Sequence, residues 1–175
     1  MKSLVNLLGA WTTFFRYPTP WSSRLRTIFY FSWFTFTGLI FASRGNFPLI
    51  IALKTIGAIV GATIFVYALG DAMDAELDKL SPRKAKRPIP SGLMTERQAI
   101  LLSSIGGLVG ISLCLTLNFW TTVFSLIFMG LGFSYSVPPI RLKRRFLMKE
   151  TTLTTGGIIS MLIGCAAVEG LQGSI

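Results

Sequence analysis

The sequence predicts an all-α, polytopic transmembrane bundle of about five spanning helices. Three observations carry this expectation. Hydrophobic side chains make up 51% of the residues, above the usual share for a soluble domain. Several runs approach the ~20 mainly apolar residues that a helix needs to cross a bilayer. Lysine and arginine are spread unevenly around those runs, as topology signals are.

The first span is predicted near 27–43 ("TIFYFSWFTFTGLIFAS") and the second near 47–69, where the long stem of Lys54 can reach back to the interface. The third falls near 99–117 and the fourth near 120–135. The fifth, near 151–167, is less apolar and richer in Thr and Gly. Small residues recur in these runs ("GAIVGA", "GGLVG", "GGIIS"), a composition that lets helices approach closely in lipid. Ahead of the first span, 4–15 is apolar and aromatic and reads as a helix in the interface or dipping into the protein. No compact apolar core with a small-residue cleavage site marks a signal peptide. The whole of 1–175 is expected to be one transmembrane domain.

Five spans with an inside N-terminus place the segments 1–26, 70–98 and 136–150 on the cytoplasmic side of the cell membrane. All but Arg44 and Lys54 of the 17 cations then lie there. A bilayer with anionic lipids accounts for the net charge of +10 without a nucleic-acid partner. Cys114 and Cys165 sit in apolar runs and read as small fillers. The absence of histidine removes the commonest general base and metal ligand.

The aspartates are harder to dismiss as decoration. Every one in the chain, Asp71, Asp74 and Asp78, falls at i, i+3 and i+7 just past the second span. If that helix continues, they share one face. Like charges at this spacing repel, and carboxylates near lipid are costly to desolvate. A shared cation relieves both problems, and Mg2+ is commonly held by carboxylates, retained waters and substrate phosphates. The simpler alternative is a solvated helix end with Asp78 paired to Lys79 or Arg83. Next comes "SPRKAKRPIPSG", whose prolines stop the helix and whose Lys and Arg suit a diphosphate. The stretch "YSVPPIRLKRR", Tyr135 to Arg145, is a second polar constellation predicted on the same side. Read in isolation, it is equally a stop-transfer flank.

Together these stretches resemble the UbiA superfamily of intramembrane prenyltransferases. That family's first aspartate-rich motif, N-D-x-x-D-x-x-x-D, is matched by "GDAMDAELD". Its R-P-[IL]-P-S-G tail is matched by "KRPIPSG", and its Y-S-x-P-P element before a basic stretch by "YSVPPIRLKRR". The similarity runs from about Thr27 onward. It implies a membrane transferase that takes an isoprenyl group from a prenyl diphosphate and passes it to a hydrophobic or aromatic acceptor. It further implies Mg2+ on Asp71, Asp74 and Asp78, with Tyr135 also at the catalytic centre. Lys84, Arg87, Arg141, Lys143 and Arg16 would then contact substrate.

Two departures stand out. Gly70 replaces the motif's Asn, removing one expected metal ligand. No aspartate follows Asp78, so the family's second aspartate-rich motif is missing from these residues. The chain therefore resembles the N-terminal part of the family. It is expected to be inactive alone, or to be completed by a second copy or a separate C-terminal half. Two alternatives remain open. A non-catalytic membrane protein could bind prenyl diphosphate or lipid, or regulate a full-length relative. The alcohol phosphatidyltransferases also use spaced aspartates, but "DAMDAELDK" lacks their D-G-x-x-A-R pattern.

Overall fold

The computed structural model describes residues 8, 9, 11, 12, 15, 23–82 and 84–169. Its apolar runs are helical because, in hydrocarbon, a helix satisfies every backbone N–H and C=O within one segment. α1 spans Ser23–Ser43, α2 Leu49–Lys79, α3 Glu96–Leu115, α4 Phe119–Ser136 and α5 Met148–Ala166. A 3-10 turn at Leu142–Arg144 joins the last two, and no strand occurs among the described residues. α1 to α4 are long and apolar enough to cross a membrane. α5 covers most of the fifth predicted stretch, but its opening "MKETT" makes it less apolar than the others.

Two boundaries differ from expectation in ways that shape the site. α2 runs for 31 residues, about 46 Å against the ~30 Å of a bilayer core. It therefore carries Gly70 to Lys79 as continuous helix, where the predicted span stopped at Leu69. α1 begins four residues earlier than predicted, which brings Arg24 into its first turn.

Side-chain caps set two of the starts. The Thr95 hydroxyl accepts from the Gln98 amide at 3.2 Å, and the Gln98 side chain accepts from the Thr95 amide at 2.8 Å. At α4, Asn118 Oδ1 accepts from the Thr121 amide at 2.8 Å. Asn118 Nδ2 donates to the Ala166 carbonyl at 2.6 Å, tying the start of α4 to the end of α5.

Chain direction alternates, so one end of the bundle gathers the starts of α1, α3 and α5 with the ends of α2 and α4. That end is polar, whereas the interior below it is largely apolar. Phe31, Ile59, Val66, Phe128 and Ile163 form the middle layer, and Leu39, Ala52, Ala167 and Val168 the far one. α1 meets α5 backbone to backbone: Gly164 lies against the Thr35 carbonyl and Gly38 against the Met161 carbonyl. Thr35 Oγ1 adds a 2.9 Å hydrogen bond to the Ser160 carbonyl across the same seam. Phe29, Trp33, Phe41, Leu108 and Phe119 remain exposed, an outer surface suited to acyl chains.

Gly164→Ala should lower thermal stability in detergent by about 2 kcal/mol, because its Cβ would meet main chain, which cannot rotate away. Gly130→Ala, with open space at its Cβ, should raise stability by up to about 1 kcal/mol. Equal unfolding temperatures for the two variants would show that the α1–α5 seam is not close-packed.

Candidate functional site

The long α2 presents its three aspartates at the polar end, and each meets cations from other segments. Asp71 is bonded by Arg24 of α1, whose Nε lies 2.7 Å from Asp71 Oδ2 and whose Nη2 reaches the same oxygen. Arg24 is 5% exposed, which makes this a largely desolvated pair. Asp74 is bonded by Arg141 and Lys143 from the segment after α4. Asp78, 2% exposed, accepts from Arg87 Nη1 at 2.7 Å and pairs with Lys84 Nζ at 3.1 Å. Arg87 also lies 3.6 Å from Asp71 Oδ1, so one guanidinium bridges two carboxylates.

The R-P-I-P-S-G tail explains how Arg87 is held there. Tight turns close through Ser91 N to Arg87 O at 2.9 Å and Met94 N to Pro88 O at 3.0 Å. Ile89 and Met94 bury themselves against Ala72, Ala75 and Ala99. Gly92 takes a φ of +79°, a left-handed conformation that glycine adopts without a Cβ clash. Pro88 and Pro90 supply pre-set φ values and no competing N–H.

The Y-S-x-P-P element turns the chain back over α2. α4 ends at Ser136, Val137 N bonds to Phe133 O at 2.9 Å, and Arg141 N bonds to Val137 O at 3.1 Å. Arg141 occupies the left-handed region at φ 40°, an uncommon state for a non-glycine residue. Its Nη2 also donates to the Met73 carbonyl at 3.3 Å, while its buried Nε has no hydrogen-bond partner. Lys143 Nζ stands 5.9 Å from the centroid of the Tyr135 ring. Burial pushes the Lys143 ammonium below its ordinary value; Arg141 pushes the same way and Asp74 opposes both.

These groups surround the mouth of a cavity of about 430 Å3 between α1, α2, α4 and α5. Five cations line it (Arg24, Lys84, Arg87, Lys143 and Lys149) against the two carboxylates Asp71 and Asp74. Below them the wall becomes apolar and aromatic, through Tyr67, Leu131 and Val66 to Phe31 and Phe128.

Of the residues singled out from sequence, Asp71, Asp74, Tyr135, Lys84, Arg87 and Lys143 line this cavity. Asp78 and Arg141 do not; they stand behind the lining and hold Arg87, Lys84 and Asp74 in position. Arg16 lies outside the described residues. Among the described residues no cluster of three or more Asp, Glu, His or Cys side chains is placed to hold a metal ion. Of the three aspartates, Asp71 and Asp74 line the cavity, and Asp78 stands behind it in ion pairs with Lys84 and Arg87. Arg24 entered the sequence reading only as a topology charge. Its register with Thr27 and Phe31, at i+3 and i+7, is the signal that could have found it. At Gly70, a Cβ would lie 2.9 Å from Ser136 Oγ, so an Asn there would require Ser136 to move.

The chain is similar to known proteins in sequence and in fold. The UbiA prenyltransferase family matches residues 31–174. A protoheme IX farnesyltransferase of Korarchaeum cryptofilum is 30% identical over 99 residues, 57% of this chain and 33% of that protein. A 4-hydroxybenzoate octaprenyltransferase of Vibrio atlanticus is 32% identical over 108 residues, 59% of this chain and 36% of that one. The chain thus spans about a third of each of these relatives. Among solved structures, a UbiA homolog from Archaeoglobus fulgidus bound to DMAPP and Mg2+ superposes with a TM-score of 0.72 at 18% identity. That match covers 81% of this chain and 52% of the other. With the family match extending over most of its length, the chain belongs to the UbiA prenyltransferase family.

Proposed function

We propose that this chain forms a prenyl diphosphate site of a membrane prenyltransferase, with the diphosphate at the cationic mouth and the prenyl tail in the apolar cavity below. The observation that carries the reading is the excess of positive charge above an aromatic well: the lining cations Arg24, Lys84, Arg87, Lys143 and Lys149, with Arg141 behind them, outnumber their carboxylate partners Asp71, Asp74, Asp78 and Glu150. A diphosphate ester supplies the missing negative charge, and its tail supplies the apolar filling.

In the reaction, the bond from prenyl C1 to the diphosphate oxygen breaks and its electron pair leaves with the diphosphate. Arg87, Lys84, Lys143 and Arg24 stabilise that growing charge, preorganised by their carboxylate partners. The allylic cation left behind faces the Tyr135 and Tyr67 rings, whose π faces favour positive charge. An acceptor, aromatic or lipid-like, forms a new bond to C1 and releases a proton. Asp71 and Asp74, hard oxygen donors one turn apart on the cavity wall, suit Mg2+ when phosphate oxygens and water complete its shell. There the ion would neutralise leaving-group charge.

The Lys and Arg bias supports a cytoplasmic polar end in the cell membrane, with α5 inserted beside α1 as the fifth span. Completion of the cavity by a second copy or a separate C-terminal half is part of the same reading. Cross-linking in membranes should show the partner.

Arg87→Gln and Lys143→Gln should each weaken binding of labelled geranyl diphosphate to the nanodisc-embedded chain by roughly tenfold or more. Unchanged affinity in both would place the diphosphate elsewhere. Asp71→Asn with Asp74→Asn should abolish any gain in binding from Mg2+. A retained gain would mean these aspartates serve only to position cations. Prenyl transfer to added aromatic acceptors in membranes would separate an enzyme from a non-catalytic binder, which binds without turnover.

A further inference from the structure

Arg144 and Arg145 close the basic stretch after α4, yet neither joins the ion pairs of the polar end. All seven acidic side chains of the chain lie among the described residues. Asp71, Asp74 and Asp78 are taken by the cavity cations, Glu76 by Lys79 and Glu150 by Lys149. Among the described residues no ion pair reaches Arg144 or Arg145, and both are exposed. Directly after them come three large apolar residues, all exposed: Phe146 at 88%, Leu147 at 62% and Met148 at 42%. Leu147 also holds a φ of +61°, a left-handed state that leucine rarely adopts, and does so without burying its side chain.

Helix lengths decide what surrounds this segment. α4 has 18 residues, about 27 Å of rise, which nearly matches the ~30 Å hydrocarbon core. The end of α4 at Ser136 and the start of α5 at Met148 therefore lie near one edge of that core. The link between them is only 137–147, and Arg141 and Lys143 tie it down to Asp74. It is confined to the headgroup layer. α2 differs, since its 31 residues carry its end and exposed Leu80 about 15 Å beyond the core. In the headgroup layer, an apolar run reaches acyl chains while neighbouring guanidiniums meet phosphates.

We propose that Arg144, Arg145, Phe146, Leu147 and Met148 form a docking surface for anionic phospholipid. The two guanidiniums bind headgroup phosphates, and the apolar run inserts at the acyl boundary. Charge complementarity favours this occupant over a second copy of the chain. At its polar end such a copy has only Glu96 outside an ion pair, because Glu169 lies past the far end of α5. The surface lies outside the cavity lining and does not depend on the diphosphate reading.

The test attaches an environment-sensitive nitrobenzoxadiazole probe at Phe146→Cys in the purified full chain in nanodiscs. The chain without that substitution is the blank for Cys114 and Cys165. The bilayer is phosphatidylcholine with brominated phosphatidylglycerol or, in parallel, brominated phosphatidylcholine. Emission should lie to the blue of the same probe at Leu80→Cys. Half-quenching should need about fivefold less brominated phosphatidylglycerol than brominated phosphatidylcholine. Arg144→Gln with Arg145→Gln should make the two lipids quench equally, as should high salt, with emission still blue. Equal quenching with both arginines present, or no blue shift relative to the probe at Leu80→Cys, overturns the proposal. Blue emission that neither lipid quenches also overturns it, and means that protein covers the surface.

Discussion

Three carboxylates on one face of α2 have to be neutralised where little water reaches them, and the polar end of the molecule is organised around that requirement. Asp71, Asp74 and Asp78 draw in Arg24 from α1, Lys84 and Arg87 from the proline-rich loop, and Arg141 and Lys143 from the turn after α4. An uncompensated charge in such surroundings costs several kcal/mol, on the order of 3–5 for one broken buried pair. The start of α1, the proline-rich loop and the turn after α4 are therefore held against α2. The pairing does more than stabilise. It spreads cations around a cavity mouth at fixed positions, which electrostatic catalysis demands, since nothing has to reorganise as charge develops.

The two halves of the bundle answer to different physics. Below the edge-to-face contact of Phe31 and Phe128, small residues bring helices into main-chain contact, and threonine and serine hydroxyls bond to carbonyls within the helices or across the α1–α5 seam. Above it, helices separate enough to leave about 430 Å3 of space, and ion pairs replace close packing. A rigid lower half lets the upper half stay open without collapse. Gly70 belongs to this upper region, where it packs on Ser136, so the absence of Asn is also a matter of local space.

Much of the fold was legible beforehand because hydropathy and length act locally. Spans predicted near 99–117 and 120–135 fall within two residues of α3 and α4 at most ends. The extension of α2 to Lys79 was harder to see. Charged residues there break the hydropathy signal while leaving helix propensity untouched. The site was legible in part: the aspartate spacing, the R-P-I-P-S-G turns and the Y-S-x-P-P return are all local patterns. Arg24 was missed since its ion pair is with a residue 47 positions away, and the place of Asp78 behind the cavity lining depends on the same packing.

By itself, then, the sequence determined the helices, the side on which charge gathers and the face that the aspartates share. Periodicity and composition are enough for these, because they depend on neighbours along the chain. Only the tertiary structure decided which cation meets which carboxylate, that Asp78 anchors a loop behind the cavity, and which residues line the cavity. Those outcomes depend on how α1, α4 and α5 cross α2, and crossing is set by close approaches at Gly38, Gly164 and the Phe31–Phe128 contact, between residues far apart in sequence.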